Sequence, residues 1–478
     1  MEELFETSVS VLTDMVGDYA KKGIVGCRPL AQSGSRRRYF RFWFDDRTTM
    51  IGAYNEDVAE NRAFFTYSGF FAAKGLNVPS VLLVHDDKKH YLLNDLGEET
   101  LYDIVCKTRR ENACFGSVVA LYEKVVAALP KFQMAGKEGM DLSVAYPRAA
   151  FDRQSMQWDL NYFKYYYLKM VNIQFNEQLL EDDYQAFMDY LLEADSGYFL
   201  YRDFQSRNIM VKDGEVFFID YQGGRRGALQ YDIASLLYDA KADLSPETRA
   251  HLLDKYLDEL GKYVDIDREK FRSYVGAFSL IRIMQAMGAY GYRGYFERKA
   301  HFLQSIPYAI ENLRNLLNSN ALPENLPELD KVLHAVVDSY VPQQAAVGDC
   351  LTVDVCSFSY KKGIPEDNSG NGGGFVFDCR ALPNPGRESA YRDFTGRDEC
   401  VREYLLKYDE VREFEKHVAG LLDMSVENYI ERKFTHLLVG FGCTGGQHRS
   451  VYFAEAAAAH LKEKFPQIVV NLKHTNIQ

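Results

Sequence analysis

Residues 28–95 alternate apolar and polar positions in short runs. Arg38–Phe44, Thr49–Tyr54, Ser80–His85 and His90–Asn94 read as strands, with one helix around Glu56–Lys74. From 100 to 315 the apolar period lengthens to three and four, as in Asp159–Val171 and Leu179–Glu193, which predicts a mostly helical region. One interruption breaks it: Asn208–Lys212 and Glu215–Ile219 are strand-like and joined by Asp213-Gly214, a strong hairpin signal. Asn318–Glu328 carries two prolines and three asparagines and reads as a linker, extending to 348. From Asp349 the pattern changes again. Strands at Leu351–Phe358, Gly374–Leu382, His436–Phe441 and Ile468–Lys473 alternate with helical stretches at Asp398–Leu422 and Val451–Phe465. That order predicts parallel pairing. Asn368–Gly374 is a low-complexity loop, and no internal repeat is present. The domains expected are a strand-rich lobe at 1–97, a helical lobe at 98–317, a linker at 318–348 and an α/β domain at 349–478.

Composition narrows the partners. Over 478 residues the net charge is −12, which disfavours nonspecific nucleic-acid binding, since that rests on Lys and Arg neutralising phosphates. Thirty-three Tyr and 31 Phe suit large cores and stacking surfaces for rings. The eight Cys lack a paired zinc-ligand spacing. The start is acidic, without an apolar leader, and no apolar run reaches membrane-spanning length, so a cytoplasmic location is expected.

The hairpin carries the clearest chemistry. It is preceded by Tyr201-Arg-Asp-Phe-Gln-Ser-Arg-Asn208 and closes on Asp220. A tight hairpin brings the start of its first strand beside the end of its second, so Asn208 and Asp220 converge with Asp203 just upstream. Two oxygen ligands for Mg²⁺ and a carboxylate for a substrate hydroxyl would then meet, as in kinase-type phosphotransfer. Gly34-Ser35-Arg36-Arg37-Arg38 follows a coil and precedes a strand, where a phosphate-covering loop belongs; a solvated basic turn is the alternative. The third strand, Met50-Ile-Gly-Ala-Tyr54, lacks the lysine that kinases place there. Either Arg36–Arg38 supply the charge or nucleotide binding is weakened.

A second site is signalled by Gly440-Phe-Gly-Cys-Thr-Gly-Gly-Gln-His-Arg-Ser450, which follows an apolar strand and opens a helix. Glycines let the backbone approach an anion, the first N–H groups of the helix point at it, and His448 and Arg449 add donors. Cys443 and Arg449 also fit the Cys-x5-Arg cradle of cysteine phosphatases, although no upstream general acid is evident.

Residues 28–315 resemble the aminoglycoside phosphotransferase superfamily, and within it the N-acetylmuramate/N-acetylglucosamine anomeric kinases. The resemblance rests on Gly34–Arg41, Lys74–Pro79, Leu92–Gly97, the Asp203/Asn208/Asp220 set, Tyr231–Leu237, Met284–Gly288 and Pro307. It implies an α+β two-lobed protein-kinase-like fold that uses ATP and Mg²⁺ to phosphorylate an amino sugar. Nucleotide would meet Gly34–Arg38 and the hinge at Asn94, Asp95 and Leu96. Asp203 would be the base, and Asn208 and Asp220 the metal ligands. Choline or aminoglycoside acceptors are alternatives, as is a regulatory scaffold with a protein or RNA partner. Residues 349–478 resemble the C-terminal half of the RNase adapter protein RapZ family, through Ser357–Pro365, Val376–Pro385, Thr395–Asp398 and Gly442–Val451. The resemblance implies a separate α/β domain with a mostly parallel sheet that senses a sugar phosphate such as glucosamine 6-phosphate. The matching positions are Arg380, Asn384, Cys443, Thr444, Gly445, Gly446, His448 and Arg449. The family's basic tail is missing, since the chain ends Asn471–Gln478, and this argues against RNA binding.

Overall fold

The computed structural model describes the chain except residues 1, 31–36, 298, 341–350, 366, 368–373, 433 and 478. Alternation in the first strands reflects a sheet with one face under a helix. Helix α1 (Glu2–Ala20) lays Leu12, Met15 and Val16 against Phe40, Phe42 and Phe44, every second residue of one strand. The strands β1 (Ile24–Pro29), β2 (Arg38–Phe44) and β3 (Thr49–Tyr54) precede helix α2 (Val58–Ala73), and β4 (Val81–Val84) and β5 (His90–Asn94) follow it. They form one antiparallel sheet in the order β1-β2-β3-β5-β4. Asp57 starts α2 by accepting from the Glu60 N–H.

The helical region comprises α3 (Leu101–Arg110), α4 (Gly116–Met134), α5 (Arg153–Phe163) and α6 (Glu177–Leu192). Four short strands follow: β6 (Tyr198–Leu200), β7 (Ile209–Lys212), β8 (Glu215–Phe218) and β9 (Arg225–Gly227). Then come α7 (Leu229–Leu237), α8 (Pro246–Leu260), α9 (Arg268–Tyr290), the single turn α10 (Ala300–Leu303), α11 (Ile306–Asn318) and α12 (Pro327–Ser339). The expected hairpin is present, with β7 and β8 in register from Ile209↔Phe218 to Lys212↔Glu215. It is pinned to the strand-rich part: the Phe218 N–H donates to Asn77 O at 2.8 Å, and Asn77 Nδ2 donates to Val216 O at 3.0 Å. Helix α2 adds a Ser68–Tyr221 hydroxyl contact of 2.6 Å and a Phe64–Tyr221 stack.

The linker expected at 318–348 is corrected by α12. Pro327 opens this helix, where its missing N–H matters least, and Glu328 and Asp330 favour its positive end. Leu329, Val332, Leu333 and Val336 recur at helical spacing and are buried, with α12 packed against α6 and α11. Two units result: Met1–Glu297 with Ser305–Tyr340, and Arg298–Gln304 with Val341–Gln478.

The second unit contains β10 (Thr352–Ser359), β11 (Gly374–Asp378), α13 (Glu399–Leu406), α14 (Asp409–Glu431), β12 (His436–Cys443), α15 (Arg449–Lys464) and β13 (Val469–His474). Its sheet is parallel throughout, in the order β11-β12-β10-β13. The strand expected to run to Leu382 stops at Asp378, whose carboxylate accepts from the Arg380 N–H and turns the chain. Among the described residues no helix is long and apolar enough to cross a membrane.

Candidate functional site

Asp203, Asn208 and Asp220 come together at the mouth of the β7–β8 hairpin. Asn208 Nδ2 donates to Asp203 O at 2.8 Å and lies 3.3 Å from Asp220 Oδ2. Its amide is thereby oriented with the carbonyl oxygen turned away from these two contacts. Gln222 Nε2 holds the other Asp220 oxygen at 2.6 Å. Burial raises the Asp220 carboxyl above the ordinary range, and the Asp203 charge raises it further. Two carboxylates repelling one another, with the Asn208 side chain beside them, form a donor set suited to a hard dication. Asp203 is half-exposed and faces Arg282 Nη2 at 3.8 Å.

The loop carrying Asp203 is held from below. Asp232, fully buried, accepts from the backbone N–H of Tyr201 at 2.8 Å and of Arg202 at 3.0 Å. It braces the loop but does not cap α7, which starts earlier, at Leu229. Gln133 reaches Leu229 O, and Tyr256 donates to Gln133 Oε1 at 2.6 Å. Arg202 sits in the left-handed region at φ 83°, as does Asp220 at φ 70°. The Arg202 guanidinium is fixed by both Asp159 oxygens at 2.7 and 2.9 Å and by the Tyr231 hydroxyl. Sequence reading did not select Arg282, Gln222 or the Asp159–Arg202 pair. The available signal was one arginine inside the apolar run Phe278-Ser-Leu-Ile-Arg-Ile-Met284.

The residues expected at the nucleotide lie in three places. Gly34, Ser35 and Arg36 are outside the described residues. Arg37 and Arg38 enter β2, with Arg38 opposite Tyr54 at the end of β3. Asn94, Asp95 and Leu96 leave β5. Two of these side chains are committed within the protein: Asn94 Oδ1 accepts from Ser80 N at 2.7 Å, and Asp95 pairs with buried Arg41 at 2.6 and 3.1 Å.

In the second unit, β12 delivers Cys443 to a loop that ends at Arg449, the first residue of α15. Thr444 and Gly445 are exposed, whereas Cys443, His448 and Arg449 are buried. Cys443 Sγ lies 3.1 Å from the Ser450 hydroxyl and receives the Gly446 N–H at 3.2 Å. Burial pushes this thiol up, but Ser450, the Gly446 N–H and the Arg449 charge outweigh it, so the thiol titrates below its ordinary range. Arg449 Nη1 donates to Arg380 O at 2.9 Å and Leu382 O at 2.8 Å, fastening the loop to the segment after β11. Through this one nitrogen Arg449 braces the loop. Arg380 itself is half-exposed, held by both Asp378 oxygens and laid over Tyr360. Asn384 Oδ1 accepts from Gly386 N, and His448 Nε2 meets Tyr391 O at 2.9 Å.

Residues 27–272 match the phosphotransferase enzyme family, and residues 351–478 match the RapZ C-terminal domain. A nucleotide-binding protein of Ruminiclostridium cellulolyticum is 38% identical over 128 residues, 27% of this chain and 42% of that protein. One of Rubrobacter xylanophilus is 45% identical over 111 residues, 23% of this chain and 35% of that protein. The chain thus spans less than half the length of these curated relatives. Choline kinase from Cryptosporidium parvum Iowa II aligns over 67% of this chain and 99% of its own, at a TM-score of 0.47 and 11% identity. The first match takes in just over half of the residues, so the chain belongs to the phosphotransferase enzyme family, with a RapZ C-terminal domain following in the sequence.

Proposed function

We propose that the first unit transfers the γ-phosphoryl group of ATP, with Mg²⁺, to a hydroxyl of an amino sugar of the N-acetylmuramate or N-acetylglucosamine type, in the cytoplasm. The observation that carries this reading is the meeting of Asp203, Asn208 and Asp220 at one hairpin mouth. Asp203, half-exposed, would accept a hydrogen bond from the acceptor hydroxyl and draw its proton as the oxygen attacks. Arg282 would keep that carboxylate turned toward the cleft. Asn208 and Asp220 would hold Mg²⁺, whose charge offsets the negative charge of the phosphate oxygens. The raised Asp220 carboxyl supports this, since a neighbouring cation would restore its ionised form. The seven described cysteines are unpaired, consistent with a reducing compartment. The amino-sugar assignment is supported by the resemblance in Gly34–Arg41 and Leu92–Gly97 and by the adjoining domain of a sugar-phosphate-sensing family.

Asp203→Asn is expected to lower kcat by roughly 10²–10⁴-fold while ATP binding stays near wild type, because the substitution removes a proton acceptor and no nucleotide contact. ADP release measured against amino sugars, choline and aminoglycosides identifies the acceptor. Turnover of choline alone would replace the sugar assignment, and unchanged turnover in Asp203→Asn would remove the assigned base.

For the second unit the proposed ligand is a sugar phosphate at Thr444–Arg449, with glucosamine 6-phosphate as the first candidate. Its support is the glycine-rich turn at the start of α15, where N–H groups face the loop.

A further inference from the structure

Kinase-type phosphotransferases pair a strand lysine with a helix glutamate and set that lysine on the α- and β-phosphates. Here β3 reads Thr49-Met-Ile-Gly-Ala-Tyr54 and contains no basic residue. The adjacent strand supplies one at its entrance. Arg37 immediately precedes β2, and Arg38 lies opposite Tyr54 at the end of β3, so Arg37 stands beside the chain segment that turns into α2. Its guanidinium reaches that helix: Nη2 lies 3.1 Å from Glu60 Oε1 in the first turn of α2. Glu60 is in turn held on its other oxygen by Asn55 Nδ2 at 2.8 Å. Arg37 is 3% exposed and rests over the Phe64 ring, with Nη1 directed at the Tyr39 hydroxyl.

Two observations separate this pair from an ordinary surface bridge. Exposed ion pairs use long, mobile side chains, whereas Arg37 is fixed by a ring, a hydroxyl and a carboxylate that is itself anchored. The pair also packs toward the hairpin mouth through the ring beneath the guanidinium. Phe64, under the guanidinium, stacks on Tyr221, the residue after Asp220. Arg37 is therefore linked through one ring to the residue that follows Asp220, beside the hairpin mouth.

We infer that the Arg37–Glu60 pair replaces the missing strand lysine, Arg37 being the cation that receives the α/β-phosphates of a nucleoside triphosphate and Glu60 the residue that positions it. A planar guanidinium can donate to two phosphate oxygens at once, so the substitution keeps the charge and adds a fork of donors. The inference rests on the phosphotransferase reading above and assigns one of its residues.

Calorimetric titration of the full chain with MgATP, and with MgADP, tests it without reference to turnover. Arg37→Met is expected to weaken MgATP binding by about 10- to 100-fold, the loss of a charge-assisted contact. Arg37→Lys should fall between wild type and Arg37→Met, and Glu60→Gln should weaken binding less than Arg37→Met. Arg62→Met removes an exposed charge from the same helix and should leave binding unchanged. Thermal melts that coincide for wild type and Arg37→Lys keep the comparison valid if Arg37→Met unfolds. Wild-type affinity in folded Arg37→Met or Arg37→Lys overturns the assignment of Arg37 while leaving the kinase reading intact. Absence of nucleotide binding in the wild type overturns both.

Discussion

A single buried carboxylate, Asp232, holds the loop that carries Asp203, and its titration should be visible in stability. Burial pushes Asp232 from an ordinary 3.8 up to about 7, even though the Tyr201 and Arg202 N–H groups favour its charged form. A folded value above the unfolded one means the folded chain holds a proton that the unfolded chain has released. This contribution is complete below about pH 4 and is lost as pH rises through 7. Asp232→Asn removes the titration, so the fall in melting temperature of the wild type between pH 5 and 8 should flatten in this variant. An identical slope in both would show that Asp232 is ionised throughout. Gly446 is the corresponding single residue of the second unit. It has φ 71°, and a Cβ placed there would come within 2.7 Å of Asn476 Oδ1. Gly446→Ala is expected to cost about 1–2 kcal/mol of stability and to abolish sugar-phosphate binding, both read by denaturation and calorimetry. Retained affinity would place the ligand elsewhere.

Among elements, those legible in the sequence are the ones whose pattern is local. The β7–β8 hairpin follows from Asp213-Gly214 between two apolar runs, and the parallel sheet follows from strands alternating with helices. The site could be read where spacing alone brings residues together, as with Asn208 and Asp220. What escaped depends on distant contacts: Arg282 reaches Asp203 from α9, and Asp159 reaches Arg202 from α5. Helix α12 escaped because prolines and asparagines masked a short amphipathic repeat, and its burial against α6 and α11 decides its state. Leu333 within it is completely buried. Leu333→Ala should destabilise the first unit by about 2–5 kcal/mol, measured by chemical denaturation. A change below 0.5 kcal/mol would return 327–339 to a linker role.

At the scale of the whole molecule, the proposed sugar-phosphate site matters for phosphotransfer only if its occupancy acts on the phosphotransferase unit. Covalent linkage keeps two units at high mutual concentration but creates no coupling by itself. A ligand at Thr444–Arg449 can alter phosphotransfer only by binding one state of the enzyme more tightly than another. On the proposed assignments, one chain would join a reaction on an amino sugar to a detector for a chemically related compound, which would give regulation a purpose. The expected outcome is that glucosamine 6-phosphate changes the KM or kcat of the full chain, and that Gly446→Ala erases the change while leaving basal turnover intact. A tenfold coupling corresponds to about 1.4 kcal/mol, well within the usual range for linked sites. Linkage then makes a stricter demand. The acceptor sugar must change the Kd of glucosamine 6-phosphate by the same factor by which glucosamine 6-phosphate changes the Kd of the acceptor. Calorimetry in both directions measures the two factors independently. Binding without any kinetic or reciprocal effect would leave two autonomous units in one chain. Equal factors, lost together in Gly446→Ala, would establish that occupancy of one unit is reported to the other.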